Sequence, residues 1–205
     1  MVATSNPGKL REYRSLLADL PLEIVSLGDV GIDGAVEEIG ETYAENAILK
    51  ARAYAKQSGL LTLADDSGLE VDALHGEPGP RSSRFGGPGA NDRQRVDLLL
   101  RGLSGVPWPR RAARFRAIVA IATPEGHVET FEGACEGIIA LEPRGSQGFG
   151  YDPVFYLPTY GRTMAELPSE LKNRISHRAR AIRAAKATLA NLTAGGYSSG
   201  AAPSA

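Results

Sequence analysis

Helical and strand patterns alternate along this 205-residue chain, and that alternation constrains the fold more than any other feature of the sequence. Apolar residues recur at helical spacing in four segments, and short apolar strand patterns lie between them. A Pro-Glu-Gly turn joins two strand patterns into a predicted hairpin, 113–123 with 127–136. Such a mixture predicts an α/β or α+β layered protein with a mixed sheet. The predicted helices are 7–20, 42–59, and one each beginning at the capping residues Asn91 and Ser176.

Two more strands are predicted on either side of the tetrapeptide Asp-Asp-Ser-Gly at 65–68. The strands are expected over 60–64 and 69–73, because apolar and β-branched residues alternate or cluster there. A further short strand is expected over 22–27. The Gly- and Pro-rich stretch 75–90 also carries arginine and phenylalanine, which indicates a long ordered loop or lid rather than a linker.

Composition narrows the functional classes. A hydrophobic content of 42% supports a real core, and a net charge of −1 disfavours a dedicated nucleic-acid or membrane-surface binder. The single cysteine, Cys135, allows no internal disulfide and fits a reducing cytoplasm, where it is expected to be a small core residue. The sequence has no long apolar run and no basic-then-apolar leader, so neither a membrane span nor a signal peptide is expected.

The hexapeptide Thr-Ser-Asn-Pro-Gly-Lys at 4–9 lies at the mouth of the first predicted helix. Asn6 is a good N-cap, and Pro7 suits the first helical position. The N–H groups of a helix N-terminus attract anions, so the segment is either an ordinary helix start or a phosphate site that includes Lys9. It does not match the P-loop pattern, which disfavours a kinase or ATPase of that type.

Carboxylates form a second cluster of candidate residues. Asp65 and Asp66 follow an apolar strand, and ligands of α/β sheets bind at the carboxyl ends of strands. With Glu37 and Glu38 they would offer the hard oxygen ligands that Mg²⁺ prefers, whereas the alternative is an ordinary Asp-Gly turn. A neighbouring carboxylate raises the proton affinity of one Asp, which suits a general base, although a bound cation acts in the opposite direction.

The segment Gly-Phe-Gly-Tyr-Asp-Pro at 148–153 forms a third candidate cluster. Phe149 could stack on a flat base, and Asp152 could accept hydrogen bonds from base N–H groups. The alternative is a tight turn with a buried aromatic side chain. The sequence has no histidines at zinc spacing, no Gly-x-Ser-x-Gly elbow and no complete dinucleotide fingerprint. A zinc site, a serine hydrolase and a dinucleotide-binding enzyme are therefore disfavoured.

Basic residues at 172–178 form the fourth cluster, at the predicted start of the last helix. Lys172 and Arg178 suit contact with a phosphate or a base carbonyl. His177 could donate to a keto oxygen or a phosphate, or carry a proton. The alternative is a solvated basic face, which a run of charges usually is.

At these four clusters the sequence resembles the inosine triphosphate pyrophosphatase family, also called dITP/XTP pyrophosphatases or noncanonical purine NTP pyrophosphatases. The motifs follow the family's order and extend from residue 4 to about residue 192, so together they are far more specific than any one of them. The matching motifs are T-S-N-P-G-K at 4–9, E-E-I-G-E-T-Y-A-E-N-A-I-L-K-A at 37–51, A-D-D-S-G-L-E-V-D-A-L at 64–74, P-G-P-R-S-S-R-F at 78–85, G-F-G-Y-D-P-V-F at 148–155 and K-N-R-I-S-H-R at 172–178.

The resemblance implies an elongated, ITPase-like α/β fold: a long, twisted mixed sheet flanked by helices, with an active-site cleft between two lobes. It implies a homodimer and hydrolysis of ITP, dITP and XTP to the monophosphate and pyrophosphate with Mg²⁺. Asp66 matches the family's proton acceptor; Glu37 or Glu38 and Asp66 match its Mg²⁺ ligands, with Asp65 as an additional candidate. The implied substrate contacts are Thr4, Ser5, Asn6, Pro7, Gly8, Lys9, Ser67, Phe149, Gly150, Tyr151, Asp152, Lys172, His177 and Arg178.

One NTP pyrophosphatase domain is expected over 1–192, followed by a Gly/Ser/Ala tail over 193–205 that we expect to be disordered. Three residues precede Thr4, fewer than the first strand of the family usually has. That strand is therefore expected either to be clipped or to begin upstream. No role follows from the sequence for Arg81 and Arg84.

Two other functions remain open from the sequence. One is a related pyrophosphatase for modified pyrimidine nucleotides, which a substrate panel would distinguish. The other is a noncatalytic nucleotide-binding module. The carboxylates of Asp65 and Asp66 count against this module, because a binding protein has no need of a general base.

Overall fold

The computed structural model describes residues 1–194 and has an α/β fold, as the sequence predicts. Its helices are α1 (Pro7–Leu16), α2 (Tyr43–Ser58), α3 (Asp92–Gly102), α4 (Ser169–Ile175) and α5 (His177–Ala194). Its strands are β1 (Thr62–Val71), β2 (Ala112–Ala122), β3 (Val128–Ile139), β4 (Phe155–Leu157) and β5 (Arg162–Thr163). They form one sheet in the order β1-β2-β3-β4-β5, in which β4 pairs antiparallel with both β3 and β5.

Local sequence explains where the helices begin. Asn6, Thr42 and Asn91 cap α1, α2 and α3, as predicted, and the last two do so through capping boxes. The first helix is shorter than predicted, because its last two apolar residues, Leu17 and Leu20, pack into the core from a turn. Their spacing reflects burial rather than continued helix. The predicted tail lies outside the described residues from 195 onward, and residues 193 and 194 end α5.

The segment 65–68 is the main correction to the predicted strands. It is not a turn between two strands, because β1 runs without a break from Thr62 to Val71. Asp and Gly favour turns locally, but here side chains from neighbouring helices pair with the carboxylates and stabilise the extended strand. The strand predicted over 22–27 is also wrong. Within the described chain it contributes one parallel bridge, from Ser26 to Val2.

The chain divides into two compact units, and the boundaries fall within β1, β2, β3 and α5. The first unit comprises Met1–Asp66, Ile118–Glu132 and the described chain from Ala181. The second comprises Ser67–Ala117 and Gly133–Arg180. No helix among residues 1–194 combines the length and the apolar character needed to cross a bilayer.

The first unit has a hydrophobic cluster on each face of its strands. Leu63 packs with Tyr13 of α1 and Ile182 of α5, whereas its neighbour Ala64 packs with Ala47 and other small residues of α2. Successive side chains of a strand point to opposite faces, so odd-numbered residues of this part of β1 face α1 and α5, and even-numbered residues face α2. This alternation decides where the carboxylates point.

The second unit encloses a core built around Leu69, Leu99 and Phe155. Cys135 belongs to that core, as the sequence predicts, and burial raises the pKa of its thiol. Arg111 is a buried residue that the sequence did not reveal. Its guanidinium donates to three carbonyl oxygens that follow α3 and β3: from Nε to Val106 at 2.9 Å, from Nη2 to Leu103 at 2.9 Å and from Nη1 to Ala140 at 3.2 Å.

Candidate active site

The adjacent carboxylates of β1 point to different helices. Asp65 accepts from the Lys9 ammonium of α1, with Nζ 2.9 Å from Oδ2. Asp66 accepts from the amide of Asn46 on α2, with Nδ2 3.1 Å from Oδ2. Both aspartates are almost completely buried, with exposed fractions of 2% and 5%. The alternation of the strand therefore directs Asp65 to α1 and Asp66 to α2.

Lys50 of α2 connects this pair of residues with the acidic loop before the helix. Its ammonium lies 2.5 Å from Oε1 of Glu38 and 2.6 Å from the carbonyl oxygen of Asp65. Burial alone would lower the pKa of Lys50, but the negative charges of Asp65, Asp66 and Glu38 outweigh it and raise the pKa above its usual value. The lysine is therefore a fixed positive charge among the carboxylates.

The surroundings of Asp66 favour the protonated form of its carboxyl. Burial raises the pKa of its carboxyl above the usual aspartate value, and the charge of Glu38 raises it further. Lys50, Lys9 and the Asn46 hydrogen bond act in the opposite direction without cancelling the effect. A carboxylate that holds a proton more tightly than usual is a stronger base, so Asp66 is better suited than an exposed aspartate to accept a proton from water.

The two glutamates before α2 have different surroundings. Glu38 is partly buried and pairs with Lys50, and its charge acts on Asp66. Glu37 is exposed. The structure therefore favours Glu38 over Glu37 as the partner of Asp66 in a metal site.

The carboxylates around Asp66 could supply part of the coordination shell of Mg²⁺. Among residues 1–194, no three histidine, cysteine or carboxylate side chains are grouped so as to hold a metal ion. Mg²⁺ usually takes one or two protein carboxylates and completes its shell with water and substrate phosphates. Glu38 and Asp66 supply that number of hard oxygen ligands, whereas Asp65 is directed to Lys9 on the other face of the strand.

Several backbone N–H groups at the start of α1 already donate to side chains of the capping segment. Oδ1 of Asn6 accepts from the N–H groups of Gly8 and Lys9, at 2.8 Å and 3.1 Å. Oγ1 of Thr4 accepts from the N–H of Asn6 at 3.2 Å. These N–H groups are the ones that a phosphate at the helix N-terminus would use, so a bound phosphate would have to share them with Asn6.

The predicted recognition residues of the second unit do lie together. Lys172 and Asp152 form a buried ion pair of 2.5 Å, and Oδ2 of Asp152 also accepts from the N–H of Phe149 at 2.9 Å. The ring of Phe149 lies 4.8 Å from the Lys172 ammonium and 5.3 Å from the Arg178 guanidinium. Both cations attract the face of the ring and so favour this position of Phe149.

Ser67, His177 and Arg178 complete this group in the second unit. Nη2 of Arg178 donates to Oγ of Ser67 at 3.0 Å, which links the start of α5 to β1. The His177 ring stacks on Phe115, with 4.8 Å between ring centroids. Lys172 lies in α4, a helix that the sequence analysis missed; only His177 and Arg178 lie at the start of α5.

Sequence reasoning missed two polar residues of the site, Asn46 and Lys50. They are four residues apart on α2, and each precedes an alanine of the buried face, Ala47 or Ala51. The sequence does contain a signal for them, because two polar residues at helical spacing lie beside a stripe of small apolar residues. Their role became clear only from their contacts with β1.

Comparisons with known proteins agree on one family. The model of the Ham1 family matches residues 1–188. A dITP/XTP pyrophosphatase of Desulforamulus reducens is 50% identical over 192 residues, covering 94% of this chain and 96% of that protein. The solved structure of a HAM1 protein from Coxiella burnetii is 42% identical with a TM-score of 0.83, and covers 93% of this chain and 97% of its own. That of a nucleoside-triphosphatase, or dITP/XTP pyrophosphatase, from Mycobacterium abscessus is 45% identical with a TM-score of 0.72, covering 89% and 96%.

Proposed function

This chain belongs to the Ham1 family, and on that premise we propose that it hydrolyses the noncanonical purine nucleotides ITP, dITP and XTP to the monophosphate and pyrophosphate. Two groups of residues carry the proposal. One contains Asp65, Asp66 and their lysine partners, and the other contains Phe149, Lys172 and Arg178. Buried carboxylates with fixed lysines suit phosphate chemistry, and an aromatic ring with buried cations suits recognition of a base.

In the proposed reaction a water molecule attacks the α-phosphorus, and Asp66 takes its proton. A bond forms between the water oxygen and the α-phosphorus. The bond from that phosphorus to the oxygen bridging to the β-phosphate breaks, and pyrophosphate leaves with the electron pair. The raised pKa of Asp66 supports this role, because a base works best when its pKa approaches the working pH.

We assign charge neutralisation to Lys9, Lys50 and Mg²⁺. Glu38 and Asp66 would hold the metal, which when bound adds positive charge beside the phosphate oxygens. Lys50 is already fixed by Glu38 and by the Asp65 carbonyl. Lys9 pairs with Asp65, so its contact with a phosphate would exchange one carboxylate partner for another anion.

Recognition of the base is assigned to the group in the second unit. The side chains of His177 and Arg178 carry hydrogen-bond donors. A 6-keto oxygen, present in hypoxanthine and xanthine, accepts from such donors, but the 6-amino group of adenine cannot. Buried donors left without an acceptor cost about 1–3 kcal/mol each, which would exclude ATP. We also propose a homodimer, which rests on the family resemblance, and a cytoplasmic location, which rests on the single cysteine.

A substrate panel tests this function. With Mg²⁺, we expect pyrophosphate release from ITP, dITP and XTP to exceed that from ATP by about a hundredfold in kcat/KM, which corresponds to about 2.8 kcal/mol. dUTP and methylated pyrimidine triphosphates belong in the panel, and an enzyme that preferred them would replace the proposal with the pyrimidine alternative. Binding of ITP without turnover would indicate a noncatalytic module instead.

A further inference from the structure

The segment between β1 and α3 has contacts that the proposed chemistry does not use. Residues 79–84 form a 3₁₀ turn, and α3 begins at Asp92. Ser82 in this turn and Asp92, the first residue of α3, contact the loop 149–152, which carries the base-recognition residues. The loop is therefore held by a part of the chain almost sixty residues away.

Ser82 supports the loop from the buried side. Its carbonyl oxygen accepts from the phenol of Tyr151 at 2.9 Å. Its hydroxyl accepts from the N–H of Leu69 in β1 at 2.8 Å and donates to the carbonyl of Gly79 at 2.6 Å. Burial raises the pKa of Tyr151, so the phenol keeps its proton and remains a donor.

Asp92 supports the loop from the exposed side. Its Oδ2 accepts from the N–H of Gly150 at 2.7 Å, and its Oδ1 lies 2.6 Å from Nη2 of Arg95. Arg95 also donates from Nη1 to the carbonyl oxygens of Ser83, at 3.1 Å, and Ala90. The pairing with Arg95 therefore holds the Asp92 carboxylate in the position from which it accepts from Gly150.

The backbone of the loop needs such support. Gly148 and Gly150 have φ angles of 78° and 62°, a region that glycine enters without strain but does not favour over others. Because glycine is free to leave that conformation, hydrogen bonds must select it. The Gly150 peptide lies directly after Phe149, so a change in its orientation would move that ring.

We propose that Asp92 is a positioning residue for purine recognition, which holds the Gly150 N–H so that Phe149 and Asp152 are already placed for the base. The proposal rests on the proposed function and adds a residue outside the family motifs quoted above. A carboxylate acceptor makes a stronger hydrogen bond than a neutral one, so this contact adds to the support that Ser82 gives the loop. Ordering the loop before the nucleotide arrives lowers the cost of binding.

The expected effect is on binding and base selectivity, because Asp92 lies in the second unit and contacts none of the residues assigned to proton transfer. For Asp92→Ala we expect KM for ITP to rise about tenfold, the loss of one charge-assisted hydrogen bond, with kcat within about twofold of wild type. The ratio of kcat/KM for ITP over ATP should fall. Amide hydrogen exchange of a peptide covering 148–152 should accelerate, while that of α3 should not.

Asp92→Asn is the matched control, because it removes the same charge from the first turn of α3 but retains an oxygen that accepts from Gly150. We expect its KM to stay within about threefold of wild type, since a neutral hydrogen bond replaces a charge-assisted one. If Asp92→Ala leaves KM, selectivity or loop exchange unchanged, or if Asp92→Asn is as impaired as Asp92→Ala, the proposal is wrong. Failure of the wild type to hydrolyse any nucleotide would instead overturn the proposed function, whereas hydrogen exchange reports on the loop without turnover.

Discussion

Asp66→Asn is expected to slow pyrophosphate release from ITP by about a thousandfold, within the range attributed to a general base. Asparagine has nearly the same shape and still bonds to Asn46, but it cannot take a proton from water. Single-turnover rates at saturating ITP and Mg²⁺ measure the loss. Asp33→Asn, at an exposed position in the same unit, is the control and should behave as wild type. A variant that kept a tenth of the activity would assign the base elsewhere.

The same substitution should not destabilise the metal-free fold. Because burial and Glu38 raise the pKa of Asp66, the folded protein binds this proton more tightly than the unfolded chain does. The bound proton stabilises the folded protein at pH values below the pKa that Asp66 has in the unfolded chain. This stabilisation is lost as the pH rises through the pKa that Asp66 has in the folded protein. Asp66→Asn should therefore gain free energy of unfolding relative to wild type as pH rises from acid to neutral. Urea titrations with a chelator at both pH values test the sign.

Arg111→Met is expected to lower the free energy of unfolding by about 3 kcal/mol, and so to lower the Tm by about 6–12 °C. The guanidinium is buried and donates to three backbone carbonyls, which methionine would leave without their donor. Arg111→Lys should recover little, because an ammonium cannot reach three carbonyls held in the fork geometry of a guanidinium. Thermal and urea unfolding measure both variants.

Arg110→Met gives the matched control for Arg111→Met. The neighbouring arginine is exposed, so the same substitution should change the free energy of unfolding by no more than about 0.5 kcal/mol. Equal losses at both positions would show that charge or propensity, rather than the three carbonyl contacts, accounts for the effect. The ITP-to-ATP selectivity of folded Arg111→Met should stay near that of wild type.

Local sequence was sufficient for features that depend on neighbouring residues. The capping residues Asn6, Thr42 and Asn91 were predicted correctly, because the interactions of a cap lie within one helical turn. The segment 65–68 was misassigned for the opposite reason. Its turn-forming composition is local, but the partners that stabilise it as strand come from α1 and α2.

The site was predictable in its residue types but not in its pairing. The sequence does not distinguish Glu37 from Glu38, because the contact that sets Glu38 apart is its pairing with Lys50, twelve residues further along the chain. The contact of Asp92 with Gly150 connects residues 58 apart and leaves no local pattern. The roles assigned to individual site residues remain predictions for the variants described above.

The uninterrupted course of β1 limits how this segment can change in evolution. Because side chains alternate across a strand, inserting or deleting one residue between Thr62 and Asp66 would move each aspartate to the opposite face. Asp66 would then face α1 and α5, and its former place beside Asn46 would be taken by another residue. Relatives can therefore substitute side chains here, but a change in length by one residue would change the partners of both aspartates at once.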